Sequence, residues 1–113
     1  MDGVLAHTNH FLTERMKQWE RHTENLIGSR VRLNRAMRLL RKTRHHSPET
    51  LQTILRDHVD YPNSICSHPV PTDNALDRQK TICSLVMDLT ALEMHFCWGN
   101  PCEETYHTYR LEV

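Results

Sequence analysis

Two runs decide the fold: Thr81-Ile82-Cys83-Ser84-Leu85-Val86-Met87-Asp88-Leu89 and Leu92-Glu93-Met94-His95-Phe96-Cys97-Trp98. In the first, Cys83, Leu85, Met87 and Leu89 alternate with Ile82, Ser84, Val86 and Asp88. In the second, Leu92, Met94, Phe96 and Trp98 share one face, with Glu93, His95 and Cys97 opposite. Successive strand side chains point to opposite faces, so this period of two predicts two strands. The short connection at 88–91 makes them a hairpin. Gly99-Asn100-Pro101-Cys102 is a turn-rich loop, after which residues 106–111 alternate again. Residues 81–111 therefore read as an antiparallel meander, with Leu85, Met87, Met94 and Phe96 turned towards helices or a second sheet.

Upstream the period becomes helical. Over residues 30–42, Leu33, Ala36, Met37 and Leu40 fall on one face, and Arg35, Arg38, Arg41 and Lys42 lie opposite. Gly28 punctuates the preceding segment, and Ser29 is placed to cap this helix. A second helix opens at Ser47-Pro48-Glu49: serine caps, proline fits the first turn, and glutamate complements the dipole. Leu51, Ile54, Leu55 and His58 come next at helical spacing until Tyr61-Pro62-Asn63 stops it. Two short helices on a brief loop pack as a pair. Residues 13–28 read as a long polar excursion with a short helix. Pro62, Pro69 and Pro71 fix extended, irregular chain that continues as a loop through Asp73 and Asn74. Gly3-Val4-Leu5-Ala6 reads as an extended segment entering a loop. The fold class is α+β, an antiparallel meander carrying a helix pair, in a single domain of residues 1–113.

Composition narrows the class further. Hydrophobic residues make up 38% of 113, and the mean hydropathy is -0.64. So small an apolar share implies a core completed by a partner surface or a further segment. Lys+Arg and Asp+Glu both total 14, so net charge gives no sign of nucleic acid. Residues 30–44 hold seven of those basic side chains, but no aromatic rings interleave to stack on bases. They read as a solvated face balanced by acids elsewhere. No apolar run is long enough for a membrane span, and no signal-peptide pattern opens the chain. The expected setting is cytoplasmic, without membrane or nucleic-acid partners. Cys66, Cys83, Cys97 and Cys102 stand at irregular spacings and read as reduced thiols. Cys66-x-His68 and Cys97-x4-Cys102 offer metal ligands, but the paired Cys-x2-Cys spacing is absent and Cys83 and Cys97 fit strands. The expectation is no metal and no cofactor.

Three words could carry chemistry. In His7-Thr8-Asn9-His10-Phe11, the Asn9 amide can donate to developing negative charge without itself being charged. The alternative is an Asx-type turn in which Asn9 bonds only its own backbone. Asp57-His58 with Ser64 spells a triad, yet adjacent side chains diverge and no Gly-x-Ser-x-Gly elbow surrounds Ser64. Cys66 reads more simply as a buried, inert thiol, and Gly99-Asn100-Pro101-Cys102 as a strand-end turn.

Taken in order, Thr8-Asn9-His10-Phe11-Leu12, then Asp57-His58 with Ser64-Ile65-Cys66, then a closing hairpin with Gly99-Asn100-Pro101, the chain resembles a known family. It is similar to the C-terminal part of the autoproteolytic acyltransferases of the isopenicillin N acyltransferase type, the C45 peptidases among N-terminal nucleophile hydrolases. The resemblance implies part of a four-layer αββα fold. It also implies acyl transfer or hydrolysis on amides and thioesters, such as acyl-CoA, by an N-terminal cysteine freed by self-cleavage. By the same resemblance Asn9 is the oxyanion donor and Ser64 a second catalytic position. Thr8, His10, Phe11 and His68 contribute to substrate binding. Family members commonly carry Arg directly after Ser-Ile-Cys, where this chain has Ser67. The family nucleophile lies well upstream of the asparagine motif, and no internal cysteine here is placed to become an N-terminus. The expectation is a C-terminal portion that works with a separate N-terminal half. The rival reading is a non-catalytic interaction or structural domain derived from that fold.

Overall fold

The order of elements comes from capping and periodicity. The computed structural model describes residues 3–20, 25–69 and 80–112. Helix α1 spans Glu14–Lys17, α2 Asn25–Lys42 and α3 Pro48–Leu55; strands β1, β2 and β3 span Cys83–Asp88, Glu93–Trp98 and His107–Arg110. This is an α+β arrangement. The loop through Pro71, Asp73 and Asn74 lies outside the described residues. None of the helices among those residues is long and apolar enough to cross a membrane.

The starts of α1 and α3 have a local cause. Thr13 caps α1 by accepting from the Met16 N–H at 3.3 Å. Ser47 and Thr50 cap α3 reciprocally. The Ser47 hydroxyl accepts from the Thr50 N–H at 3.2 Å, and the Thr50 hydroxyl accepts from the Ser47 N–H at 2.8 Å. Two boundaries differ from the sequence reading. Helix α2 begins at Asn25 and runs straight through Gly28 and Ser29, so neither residue punctuates it. The Ser29 hydroxyl is instead used by residues 8–10, and Gly28 lies against Asn63. Helix α3 stops at Leu55, leaving His58 in the turn beyond it. Arg56 turns away there, its Nε donating to the Pro101 carbonyl at 3.0 Å and its guanidinium lying 5.2 Å from the centre of the Tyr106 ring. The segment before Asn9, expected to be extended, belongs to no helix or strand among the described residues.

The three strands form one antiparallel sheet in the order β1-β2-β3, with Leu85 opposite Phe96, Val86 opposite His95 and Met94 opposite Tyr109. Asp88 fastens the hairpin turn, its Oδ1 accepting from the N–H groups of Thr90 and Ala91 at 3.1 and 3.0 Å. The meander is the one expected, and its buried side chains lie on the face opposite to Leu85, Met87, Met94 and Phe96. Ser84, Val86, His95 and Cys97 are buried on the side where α3 and Tyr106 pack. On the other side Met87 is 61% and Trp98 74% exposed, with Leu85 and Tyr109 also open. Small and polar side chains let α3 approach closely, and the bulky apolar face is left for a different layer.

A fork–fork ion pair ties α2 to the turn beyond α3. Arg35 of α2 donates from Nη2 to Asp57 Oδ1 at 2.9 Å and from Nε to Oδ2 at 3.0 Å. Only 24% of the Arg35 side chain and 12% of the Asp57 side chain are exposed. The hydrogen bond to Asp57 holds the Arg35 guanidinium above its ordinary value. Removing one partner strands the other charge, so Asp57→Ala is expected to lower the midpoint of urea unfolding. The double replacement Arg35→Met/Asp57→Leu should recover most of that loss. Urea unfolding of the three variants checks both; an Asp57→Ala midpoint equal to that of the unchanged chain would show that the pair contributes nothing.

Candidate functional site

Asn9 borders a cleft of about 1300 Å³, whose other walls include Arg32 of α2, Asn63, Ser67, Lys80 and Ser84. Its Oδ1 accepts from Arg32 Nη2 at 2.9 Å. A guanidinium only donates, so the amide must turn its oxygen to Arg32 and its NH2 away from it. Burial pushes Arg32 below its ordinary value, but a guanidinium remains charged at neutral pH. The result is a fixed neutral donor beside a cation, at the edge of an open cleft.

The flanking residues serve mainly to hold Asn9 in place. Ser29 is fully buried. Its hydroxyl accepts from the Asn9 backbone N–H at 2.7 Å, donates to Thr8 Oγ1 at 3.0 Å and lies 2.7 Å from His10 Nδ1. The Thr8 hydroxyl in turn donates to the Ser29 carbonyl at 2.9 Å. Thr8 and His10 thus direct these polar atoms to α2. Phe11 is partly exposed, and its N–H donates to Glu20 Oε2 at 2.7 Å. Thr8 also borders a smaller cavity of about 370 Å³ walled by Leu40, Leu51, Ile54 and Met87. The two cavities share Arg32, Leu55, Ile65 and Leu85.

Ser64 is buried within its own loop, its hydroxyl donating to the Cys66 carbonyl at 2.6 Å. Its neighbours Asn63, Ile65 and Ser67 reach the cleft instead. The Ser67 hydroxyl donates to the Ser64 carbonyl at 2.6 Å, and the Ser67 N–H donates to Thr81 Oγ1 at 2.9 Å. Asn100 crosses from the β2–β3 connection to donate to the Ser67 carbonyl at 2.8 Å. No triad assembles from Asp57, His58 and Ser64: Asp57 faces Arg35, and His58 Nε2 lies 3.1 Å from His68 Nε2. His68 Nε2 is also 3.7 Å from Cys66 Sγ and 3.4 Å from Cys102 Sγ. Desolvation and the neighbouring Cys66 thiol push Cys102 up to about 11.

Asn9 was legible in the sequence as a short polar word. Its supports were not, because Arg32 read as one more basic residue of α2 and Ser29 as a cap. If Ser29 positions Asn9, Ser29→Ala should destabilise the chain by about 1–3 kcal/mol, since it leaves the Asn9 N–H and Thr8 without their partner. Hydrogen exchange at the Asn9 amide should quicken beyond the change expected from global stability alone. Unchanged protection at Asn9 would assign the anchoring to other contacts.

No curated protein matches the chain. Residues 1–103 match the family described as acyl-coenzyme A:6-aminopenicillanic acid acyl-transferase. That match covers most of the chain and embraces Asn9, the loop at 64–69 and the β1–β2 hairpin, so the chain belongs to this acyltransferase family.

Proposed function

We propose that the chain is the C-terminal portion of an N-terminal-nucleophile acyltransferase or amidohydrolase acting on amide or thioester acyl groups, acyl-CoA among them. The nucleophile comes from a segment outside these residues. The observation that supports the reading is the place of Asn9 on the cleft wall, with its oxygen held by Arg32 and its NH2 therefore turned from that guanidinium. When a thiolate attacks a carbonyl, its oxygen gains negative charge, and a donor already aimed there needs no reorganisation. Arg32 acts as a positioning residue. The apolar cavity between α2, α3 and β1 suits the tail of the acyl group. Ser64 shapes the cleft through its loop. His10 and Thr8 hold Asn9, and Phe11 and His68 lie beyond the cleft's lining residues.

The open sheet face supports the same reading. In an αββα sandwich each sheet carries helices on one side and faces the second sheet on the other. Here α3 packs against one side, and Leu85, Met87, Trp98 and Tyr109 stand exposed on the other. The radius of gyration is 15.5 Å, where a compact chain of this length has about 13 Å. Both fit a half-domain that an N-terminal half completes. The exposed face also favours the rival reading, a non-catalytic module that binds another protein through it.

Assays with acyl-CoA, penicillin-type and peptide amide substrates separate the readings. The chain alone should be inactive and should gain turnover when mixed with a nucleophile-bearing N-terminal half from a family member. In that mixture Asn9→Ala should lower turnover about 100- to 1000-fold with little change in KM. Arg32→Met should act in the same direction but more weakly. Trp98→Glu on the open face should prevent reconstitution. Turnover by the chain alone that disappears in Cys66→Ala or Ser64→Ala would place the nucleophile within these residues and sink the proposal. Binding to the N-terminal half without any turnover would favour the interaction module.

A further inference from the structure

Four side chains with metal-binding atoms converge beside the end of α3 from three separate stretches. His58 comes from the turn after α3, Cys66 and His68 from the loop at 64–69, and Cys102 from the β2–β3 connection; their donor atoms all lie within 4.8 Å of one another. His68 Nε2 is the meeting point, 3.1 Å from His58 Nε2, 3.4 Å from Cys102 Sγ and 3.7 Å from Cys66 Sγ. A ring nitrogen offers one proton or one lone pair in the ring plane. It makes one good hydrogen bond, not three. A single cation among the four atoms would satisfy all of them.

We infer that His58, Cys66, His68 and Cys102 form a structural zinc site. Zinc sits about 2.3 Å from sulfur and about 2.0 Å from nitrogen, so a regular tetrahedron has N···N edges of about 3.3 Å and N···S edges of about 3.5 Å. The separations around His68 lie close to those edges. Thiolate and imidazole donors suit zinc and disfavour magnesium or calcium. On binding, the ion displaces the two thiol protons to solvent. Two thiolates, two neutral imidazoles and Zn²⁺ then sum to zero, so no net charge is buried with the fully buried Cys66. The surroundings fit as well. Asn100 Nδ2 donates to Cys66 Sγ at 3.4 Å, and the Tyr61 ring lies 5.1 Å from His68 and 6.0 Å from His58. With all four positions filled by protein, no place remains for an activated water. The site staples three loops together and is not catalytic.

The test uses the tag-free chain, purified under reducing conditions. Elemental analysis should find one zinc per chain, and cobalt replacement should give the intense visible bands of a tetrahedral thiolate site. Cys102→Ser and His58→Ala alter exposed residues. Each should weaken zinc binding by more than the ~10- to 100-fold that loss of an outer-sphere partner brings, while His45→Ala/His46→Ala should leave it unchanged. Alkylation of the unmodified chain gives a readout that does not depend on variant folding: zinc should protect Cys66 and Cys102, and a chelator should expose them together. Substoichiometric metal, weak octahedral cobalt bands, equal affinity in Cys102→Ser, or a Cys66–Cys102 disulfide in the purified chain would each overturn the inference.

Discussion

Asp57 joins the helical layer to the loops that build the cleft. Its carboxylate receives the Arg35 fork from α2, and its backbone carbonyl accepts from the Cys66 N–H at 3.0 Å. Oδ2 also accepts from the Val59 N–H at 3.3 Å, which closes the turn after α3. Three stretches far apart in sequence are thus tied at one residue. A lysine at 35 would keep the charge but not the planar pair of donors that fixes the carboxylate's orientation. From this turn the chain enters the loop at 64–69, whose own hydroxyls then satisfy its carbonyls. The position of Ser67 on the cleft wall results from that sequence of bonds.

The sheet repeats the logic on a larger scale. Its inner face carries Ser84, Val86, His95 and Cys97, which look too polar for a core when read as sequence. Each polar member answers to a neighbour: Ser84 Oγ meets the Tyr106 hydroxyl, and His95 Nδ1 lies 2.9 Å from Thr108 Oγ1. His95 Nε2 makes no hydrogen bond but lies 3.5 Å from Glu93 Oε2, while Glu93 Oε1 accepts from Arg110 Nε at 2.8 Å. Burial of polar groups is tolerable where partners are local and geometry is fixed by a ladder. The bulky residues, freed from this face, gather on the other. A sheet so divided has spent its small side chains on close helix approach and kept its apolar area for a second layer.

Much of this was legible in the sequence, for identifiable reasons. Period-two alternation gave the strands, because strand geometry imposes it wherever one face differs from the other. Ser47-Pro48-Glu49 gave the start of α3, because capping is a local interaction. The facing of the sheet was not legible: hydrophobicity predicts which side chains leave water, not which layer receives them. The start of α2 was missed because Ser29 uses its hydroxyl for a contact some twenty residues distant, and nothing local distinguishes that from a cap. The Asn9 word was visible, whereas the Arg32 that turns its amide was not. Of the histidine–cysteine cluster, Cys66, His68 and Cys102 were visible as possible ligands, but His58 was not and no paired spacing joined them, since the four members come from three loops brought together only by the fold.

Ser67 occupies the position at which the family resemblance leads one to expect arginine, and its bonding shows what a serine permits there. Its backbone is held by Thr81 and Asn100, and its short hydroxyl closes the turn onto Ser64. An arginine could keep the backbone bonds but would give up that closing hydroxyl. The loop gains a tighter turn and the cleft loses a cation at this point. Among the described residues, Arg32 and Lys80 are the cations that border the same cleft. Arg32 is committed on one edge to the Asn9 amide, so a carboxylate or phosphate in the cleft would meet Lys80 as a point charge, without the bidentate geometry an arginine offers. In the proposed enzyme that shifts recognition from the shape of an anionic group towards its charge alone. A site of that kind tolerates a wider set of anionic substrates than one built around a guanidinium fork.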